Sequence, residues 1–331
     1  IRQRGLISGQ SVDLRADGHI TSTGGLIQGS DSVGIQGDEG VVLGAVEQSH
    51  ESAHATSISH TGTQLISGGS AMIQSSAGDV VIQASDVVVV GDMTVDAAGD
   101  LAITSLEHAG QVHGFQLQDV SNGSMVVGGN ANLSGESMAI RGESVVAGGS
   151  MTLDATDAVV IESVQKKTKY ADSDFTLSRE QQVKSAVQSG GDLNVNGRTV
   201  EVRASDVVSN GSVSIQADDS VTIESESNTF FSKLDSESSG SFGAKTSKTE
   251  TVRTRDTVQS SIVGNGVTIE SGEDTRIKGS TVQSAGDLSL KADGGIQILN
   301  DWDVAERHVE KSETGMGHVS GQSHTKGSAS A

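Results

Sequence analysis

Proline and cysteine are both absent from this 331-residue sequence, and aromatic residues make up only 2% of it. Without cysteine the chain has neither a disulfide framework nor a thiolate metal site. Without proline every residue can donate its backbone N–H, as a structure built from continuous β-ladders requires. A core with so few aromatic rings must be filled by Val, Ile, Leu, Met and Ala. The branched residues among these pack well on a pleated sheet.

Positive charge is also scarce, and the formal net charge is −21. Phosphate binding needs clustered Lys and Arg, so we expect no nucleic-acid partner and no simple attraction to anionic lipid. No run of about 18 apolar residues occurs, so we expect no transmembrane helix. No signal peptide precedes the patterned sequence, which extends from one end to the other. We therefore interpret the chain as one segment, residues 1–331, of a larger protein.

Short segments with the pattern Gly-x-apolar-x-apolar recur about every 20 residues. Residues 5–9 read GLISG and residues 25–29 read GLIQG, and the pairs at 191–195 and 211–215 behave alike. Each segment alternates apolar and polar residues with period two, as a strand does, and Gly, Asp, Asn and Ser fill the junctions. No apolar stripe with the period of a helix is present.

Strands of three to five residues, separated by a turn about every seven residues, predict a coil with three short faces. We therefore expect an all-β fold, a right-handed parallel β-helix whose coils of about 20 residues stack in register. Aliphatic ladders would fill its interior and polar ladders would cover its outside. Roughly 12–15 coils at about 4.8 Å per coil would span on the order of 60–70 Å.

Five segments interrupt the coils at a spacing of about 60 residues, which lengthens to about 75 at the fourth step. We interpret the 60-residue period as three coils. The interruptions lie near 46–65, 105–125, 163–189, 224–262 and 300–331. Insertions in solenoids tend to share one side, so we expect loops or hairpins on a single flank. The last residues, 315–331, are rich in Gly, Ser and His, and we expect them to be mobile.

All aromatic residues and much of the lysine lie in these insertions rather than in the coils. The aromatic residues, our candidate contacts to a partner or membrane, are Phe115, Tyr170, Phe175, Phe230, Phe231, Phe242 and Trp302. The lysines are Lys166, Lys167, Lys169, Lys184, Lys233, Lys245, Lys248 and Lys311. Two interpretations stay open. The aromatic side chains either hold the hairpins together as cross-strand pairs, or they contact a partner or a membrane interface.

One metalloprotease motif, H-E-x-x-H, occurs at His50, Glu51 and His54, and His60 stands where a third zinc ligand would be. The motif needs a helix to bring both histidines to one face, and its surroundings are rich in Ser and Thr without a helical stripe. We interpret it as a chance match, in which adventitious zinc or nickel binding is more plausible than catalysis.

Other enzyme and cofactor sites are not indicated either. Gly-Gly-x-Gly-x-Asp calcium repeats are too sparse, and the coils lack the aromatic residues with which β-helical polysaccharide lyases and hydrolases bind sugars. We expect no catalytic residues, no metal and no cofactor, and hence no enzyme.

Three stretches in particular, residues 189–195, 211–217 and 279–288, resemble filamentous haemagglutinin repeats. The regular insertions resemble the second class of these repeats in contact-dependent growth inhibition effectors. The resemblance implies a β-helical filament of a secreted protein on the surface of a Gram-negative cell. Such proteins are exported by two-partner secretion, through a dedicated outer-membrane partner transporter.

In inhibition effectors the second repeat class lies between the receptor-binding tip and the toxin. The resemblance therefore implies a non-catalytic segment that engages the target-cell outer membrane and aids toxin delivery. The alternative is the purely structural shaft of a filamentous adhesin. Because terminal capping repeats are absent, we also expect end-to-end self-association.

Overall fold

The computed structural model describes residues 1–53, 55–240, 244–315 and 318–330, and these residues are almost entirely β-strand. They contain no helix, and so none that is long and apolar enough to cross a bilayer. Successive turns of the chain pair in parallel and in register on three faces. The fold is a parallel β-helix, as the sequence predicts.

Ten coils follow one another along the chain. Strands β2 and β4 each bend from face 1 onto face 2, and β5 continues from face 3 into the first hairpin. Face 1 consists of β2 (Leu6–Ala16), β4 (Leu26–Gly37), β7 (Gln64–Ser67), β10 (Asp86–Val89), β15 (Ser124–Val127), β18 (Ser144–Ala147), β23 (Ala186–Ser189), β26 (Asp206–Ser209), β31 (Ser261–Gly264) and β34 (Thr281–Ser284). Face 2 continues with β8 (Ser70–Ser75), β11 (Met93–Ala97), β16 (Ala131–Gly135), β19 (Met151–Ala155), β24 (Leu193–Gly197), β27 (Val213–Ala217), β32 (Val267–Ser271) and β35 (Leu288–Ala292). Face 3 consists of β1 (Arg2–Gln3), β3 (His19–Thr23), β5 (Gly40–Ser52), β9 (Asp79–Gln83), β12 (Leu101–Thr104), β17 (Met138–Arg141), β20 (Ala158–Glu162), β25 (Thr199–Arg203), β28 (Val221–Glu224), β33 (Thr275–Lys278) and β36 (Ile296–Leu299).

The remaining strands form five hairpins with β5. They are β6 (Ala55–Gly62), β13 (Leu106–Val112), β14 (Phe115–Ser121), β21 (Val164–Ala171), β22 (Phe175–Val183), β29 (Glu226–Ser239), β30 (Lys245–Val258), β37 (Asp303–Gly315) and β38 (His318–Ser330). We expected the C-terminal residues 315–331 to be mobile. Instead, residues 318–330 form β38, which pairs along its whole length with β37.

Aliphatic ladders fill the interior of the coils. On face 2, Ile73, Val95, Leu133, Leu153 and Val195 lie directly above one another and are fully buried. Each such side chain stabilises the fold by about 1.5–3 kcal/mol relative to an exposed one. Because three short faces enclose a narrow interior, compact branched side chains fit there and rings do not.

Side-chain oxygens at the turn between faces 1 and 2 tie each coil to the next. Asp92 Oδ1 accepts a hydrogen bond from the backbone N–H of Asn130 at 2.8 Å. Asn130 Oδ1 in turn accepts from the N–H of Ser150 at 2.9 Å. These contacts explain why Asp and Asn follow the glycine pairs, since their side chains satisfy backbone donors at the turn.

The 60-residue period does not consist of three coils, as we expect from the sequence. Each block holds two coils and one hairpin, not three coils, and the chain has ten coils rather than 12–15. At about 4.8 Å per coil the stack is about 48 Å long. A hairpin of about 20 residues has the length and the period-two alternation of one coil, so the sequence period alone does not separate them.

The chain passes from face 3 to face 1 in two ways, which alternate from coil to coil. In every second coil the chain turns through one residue with positive φ: Gly24 (65°), Ala84 (44°), Gly142 (63°), Ala204 (42°) and Gly279 (53°). In the coils between them a hairpin leaves at the same corner. From β3 onward, the left-handed residue therefore marks each corner that a hairpin does not interrupt.

At six of these corners the residue before the face-1 strand is buried and polar: Thr63, Ser85, Glu143, Ser185, Ser205 and Ser260. Ser185 Oγ, for example, donates to the Glu162 carbonyl at 2.7 Å. Glu143 stands at the equivalent position, 3% exposed, and both its carboxylate oxygens accept from the N–H of Gly123 at 2.9 Å. Burial raises the pKa of Glu143 to about 7, and the nearby charge of Asp86 acts in the same direction.

The first and last coils have no further coil of this chain on their outer sides. Apolar side chains are exposed there, with Leu6 at 65% and Ile298 at 68% exposure. End-to-end association of the chain stays a prediction.

We expect Gly142→Ala to destabilise the β-helix by about 1–3 kcal/mol. An alanine at φ 63° is strained, and its methyl group would overlap Val164 and lie 2.7 Å from Ser105 Oγ. The measurement is the urea midpoint of unfolding. Gly5→Ala is the control, because nothing lies within 4 Å of a methyl group there. Equal midpoints for the two variants would contradict the steric argument.

The raised pKa of Glu143 predicts a pH dependence of stability. Because the folded-state pKa lies above the usual value of 4.5, the stabilisation is complete below pH 4.5 and is lost as pH rises through about 7. The loss is on the order of 3 kcal/mol. We expect Glu143→Gln to remove this slope in unfolding free energy between pH 5 and 8. The exposed Glu136→Gln should retain it; a Glu143→Gln protein with the wild-type slope would refute the assignment.

Candidate functional site

The five hairpins join into one sheet, which we call the flank sheet: β5 from Ala45 onward, β6, β13, β14, β21, β22, β29, β30, β37 and β38. Neighbouring hairpins pair in antiparallel fashion, and we call each such junction a seam. Between described residues, two residue pairs join β6 to β13, three join β14 to β21, six join β22 to β29 and eleven join β30 to β37. The insertions thus form a continuous ten-stranded antiparallel sheet along one flank.

The spacing of the hairpins explains why they meet. Two coils rise by about 9.6 Å, and the two strands of one hairpin occupy the same distance at about 4.8 Å each. One hairpin per two coils therefore brings each hairpin within hydrogen-bonding reach of the next. Sequence reasoning missed this sheet because it placed three coils in each block.

Every hairpin leaves at the corner between face 3 and face 1. Its first strand continues the direction of face 3, and its second strand leads into face 1 of the next coil. The flank sheet consequently has a face-3 side, continuous with the outer surface of face 3, and a face-1 side. The Thr104 side chain points outward from face 3. Because successive side chains of a strand point to opposite sides, Leu106, His108 and Val112 lie on the face-3 side with it.

An aromatic row lies on the face-3 side. Val112 pairs with Phe115, and Tyr170 pairs with Leu177. The rings of Phe115 and Tyr170 are 4.6 Å apart, and those of Tyr170 and Phe175 are 6.0 Å apart. The row therefore crosses the seam between the second and third hairpins. Its side chains are half-buried, because each is covered laterally by its neighbours and not by another layer.

The face-1 side is polar and carries several cations. Lys169, Lys233 and Arg253 alternate with the aromatic row and so point the other way. The Arg253 guanidinium carbon lies 5.3 Å from the centroid of the Phe231 ring, within cation–π range. Lys166 and Arg179 lie beside the aromatic row on the face-3 side, so both sides of the flank sheet carry cations, and the rings of Phe115, Tyr170 and Phe175 are gathered on one of them.

The structure places the remaining candidate aromatics separately. Phe230 and Phe231 are consecutive in β29, so Phe230 lies on the face-3 side with the aromatic row and Phe231 lies on the opposite side. Trp302 precedes β37 at the base of the last hairpin and is 53% exposed. Phe242 lies outside the described residues. The ring contacts show cross-strand packing, which was the first of the two interpretations.

The H-E-x-x-H motif does not lie on a helix. His50 and Glu51 are neighbours in strand β5 and point to opposite sides of the sheet, while His54 lies outside the described residues. His60 in β6 is paired with Glu47, and its Nδ1 atom lies 3.1 Å from Ser121 Oγ. Within residues 1–53, 55–240, 244–315 and 318–330, no three His, Asp or Glu side chains are arranged to hold a metal ion.

Asp301 fastens the last hairpin to the coils, and sequence reasoning missed it. Its carboxylate is 4% exposed and lies 3.1 Å from Arg255 Nη2 and 3.6 Å from Lys278 Nζ. Burial acts to raise the pKa of Asp301, but a hydrogen bond from Ser225 and these two cations hold it below its usual value. The partners lie 23–76 residues away in sequence, so no local pattern marks them.

Comparison with known families supports this architecture. A family model described as a hemagglutinin repeat matches residues 43–117, 167–248 and 240–331, well over half of the chain. Neither the curated proteins nor the solved structures contain a match. The chain therefore belongs to the hemagglutinin repeat family.

Proposed function

We propose that this segment of a secreted surface filament uses its flank sheet to engage the outer membrane of a target cell and so aids the delivery of a toxin. Membership of the hemagglutinin repeat family makes the chain part of a filamentous, adhesin-like shaft, and such repeats occur in secreted, surface-exposed proteins. The family region is structural and not catalytic. Membrane engagement and delivery are the steps that we add.

The row of aromatic rings on the face-3 side of the flank sheet is the observation that carries the proposal. Ten stacked coils already make a rigid rod, so a shaft alone has no need of a second sheet along its length. The flank sheet adds a surface on which Phe115, Tyr170, Phe175 and Phe230 share one side. Aromatic side chains with a polar rim are favoured at membrane–water interfaces.

Charge distribution favours the same surface. The chain as a whole carries −21, whereas residues 163–185 carry five basic and three acidic side chains. Repulsion from an anionic cell surface is therefore weakest at the third hairpin, which also supplies Tyr170 and Phe175. The hairpin that an anionic envelope repels least is therefore also the hairpin that carries Tyr170 and Phe175.

Export through an outer-membrane partner transporter fits the same chain. Without cysteine no disulfide obstructs threading, and without proline no slow prolyl isomerisation delays folding. Each coil contacts only its neighbours, so folding can propagate as the chain emerges.

A purely structural shaft is the second candidate, and one observation favours it. Phe115 and Tyr170 contact each other across a seam, which stiffens the flank sheet whether or not a partner binds. In that case the hairpins brace the rod and touch nothing outside it.

We expect the chain to float with vesicles made from Gram-negative outer membranes, with a blue-shifted emission of Trp302. The double variant Phe115→Ser/Tyr170→Ser should weaken binding by about tenfold or more, because loss of about 1.4 kcal/mol of ring burial corresponds to that factor. The measurement is the bound fraction against vesicle concentration. Phe231→Ser is the matched control, since its ring lies on the opposite side and its variant should bind like the wild type.

Circular dichroism of each protein checks that the β-structure is intact. Vesicles that fail to bind the folded wild type would leave the structural shaft as the function of this segment. Equal weakening by Phe231→Ser would show that the aromatic row is not the contact surface.

A further inference from the structure

The buried ring of His60 packs against the half-buried ring of His108 between the first and second hairpins. The His60 side chain is 1% exposed, and its ring centroid is 4.7 Å from that of His108 at an interplanar angle of 54°. His60 Nε2 and His108 Nδ1 are both buried and have no hydrogen-bond partner among the described residues. A buried polar atom without a partner costs free energy, so the arrangement calls for an explanation.

Charged groups approach this pair from three further strands. Glu47 Oε2 of β5 lies 3.7 Å from His60 Nε2, but this carboxylate is 58% exposed. Asp119 of β14 is the cross-strand partner of His108, and Lys166 of β21 binds Asp119 at 2.8 Å. Asp119 is thus already neutralised by a lysine, and Glu47 is screened by water.

Among the described residues, the seam that these rings occupy has the fewest backbone pairs in the flank sheet. Two residue pairs join β6 to β13, Gln111 with Thr56 and Val112 with Ala55, against eleven between β30 and β37. Both pairs lie at the far end of the strands from the coils, whereas the histidines lie toward the coils. Side-chain packing of the two rings is therefore a large part of what closes this seam.

We propose that His60 and His108 form a pH-sensitive latch: the packed rings hold the first two hairpins together, and protonation of His60 in mildly acidic surroundings opens the seam. Opening frees the backbone edges of β6 and β13 for pairing with another strand.

The direction follows from the surroundings of the rings. Burial, followed by the proximity of His108, lowers the pKa of His60 below its usual value, while Glu47 opposes the shift. When the seam is open, His60 returns to a pKa of about 6.5. As pH falls below that value the open form gains a proton before the closed form does. The closed seam is therefore fully stable above about pH 7 and loses stability as the solution becomes more acidic.

Hydrogen exchange of the isolated chain tests the latch without a membrane or a partner. We expect protection factors of amides in residues 55–62 and 106–112 to fall between pH 7.5 and pH 5.0, by up to about 30-fold for one histidine of pKa about 6.5. Protection factors already correct for the pH dependence of intrinsic exchange. Amides of β30 and β37 should keep theirs, because eleven residue pairs join those strands.

Two variants locate the effect. His108→Phe retains a ring against His60 and removes the neighbour that helps to lower the pKa of His60, so the fall should shrink; His60→Phe/His108→Phe should abolish it. His50→Gln is the matched control, since His50 is exposed in the same hairpin and should leave the wild-type fall unchanged. Constant protection in the wild type, or a fall that persists in the double variant, would overturn the proposal. If the double variant does not fold, an undiminished fall in the single variant His60→Phe would overturn it.

Discussion

The spacing of hydrogen-bonded strands, about 4.8 Å, is the constraint on which this structure depends. It fixes the rise of each coil, because successive coils pair strand by strand. It also fixes the width of each hairpin, because the hairpins pair with one another. A hairpin in every coil would crowd two strands into the space of one, and a hairpin in every third coil would leave a gap. One hairpin per two coils is the arrangement in which both ladders are continuous, and it makes Gly24, Ala84, Gly142, Ala204 and Gly279 recur in alternate coils.

As a result, the coils and the flank sheet accommodate different kinds of side chain. The coils close on themselves, so their inward side chains must be compact and are aliphatic. The flank sheet has no second layer among the described residues, so rings fit there without a cavity to limit them. Aromatic residues are for this reason confined to the hairpins. The fourth and fifth hairpins are also longer, with fourteen and thirteen residue pairs against seven in the second, so the flank sheet widens toward the C-terminal end.

Much of the fold could be predicted from local sequence. Glycine followed by alternating aliphatic residues identifies the strands of the coils, and their recurrence identifies the solenoid. The number of coils could not be obtained in this way, because a hairpin repeats with the same length and alternation as a coil. The sidedness of the flank sheet requires the register between hairpins. Glu143, Asp301 and the pair of His60 and His108 depend on stacking between residues about 20 to 76 positions apart, so no sequence window contains both partners.

The seams between hairpins show how side chains compensate for missing backbone pairs. The eleven-pair seam between β30 and β37 is secured mainly by its ladder. The three-pair seam between β14 and β21 adds the contact of Phe115 with Tyr170 and the ion pair of Asp119 with Lys166. The two-pair seam adds the contact between the rings of His60 and His108. Cooperativity along the flank sheet is therefore lowest at its N-terminal end, where a change in one ring alters a large share of the contacts that hold two hairpins together. We therefore expect local opening to begin there while the coils beneath stay paired, because the β-helix has its own ladders on all three faces.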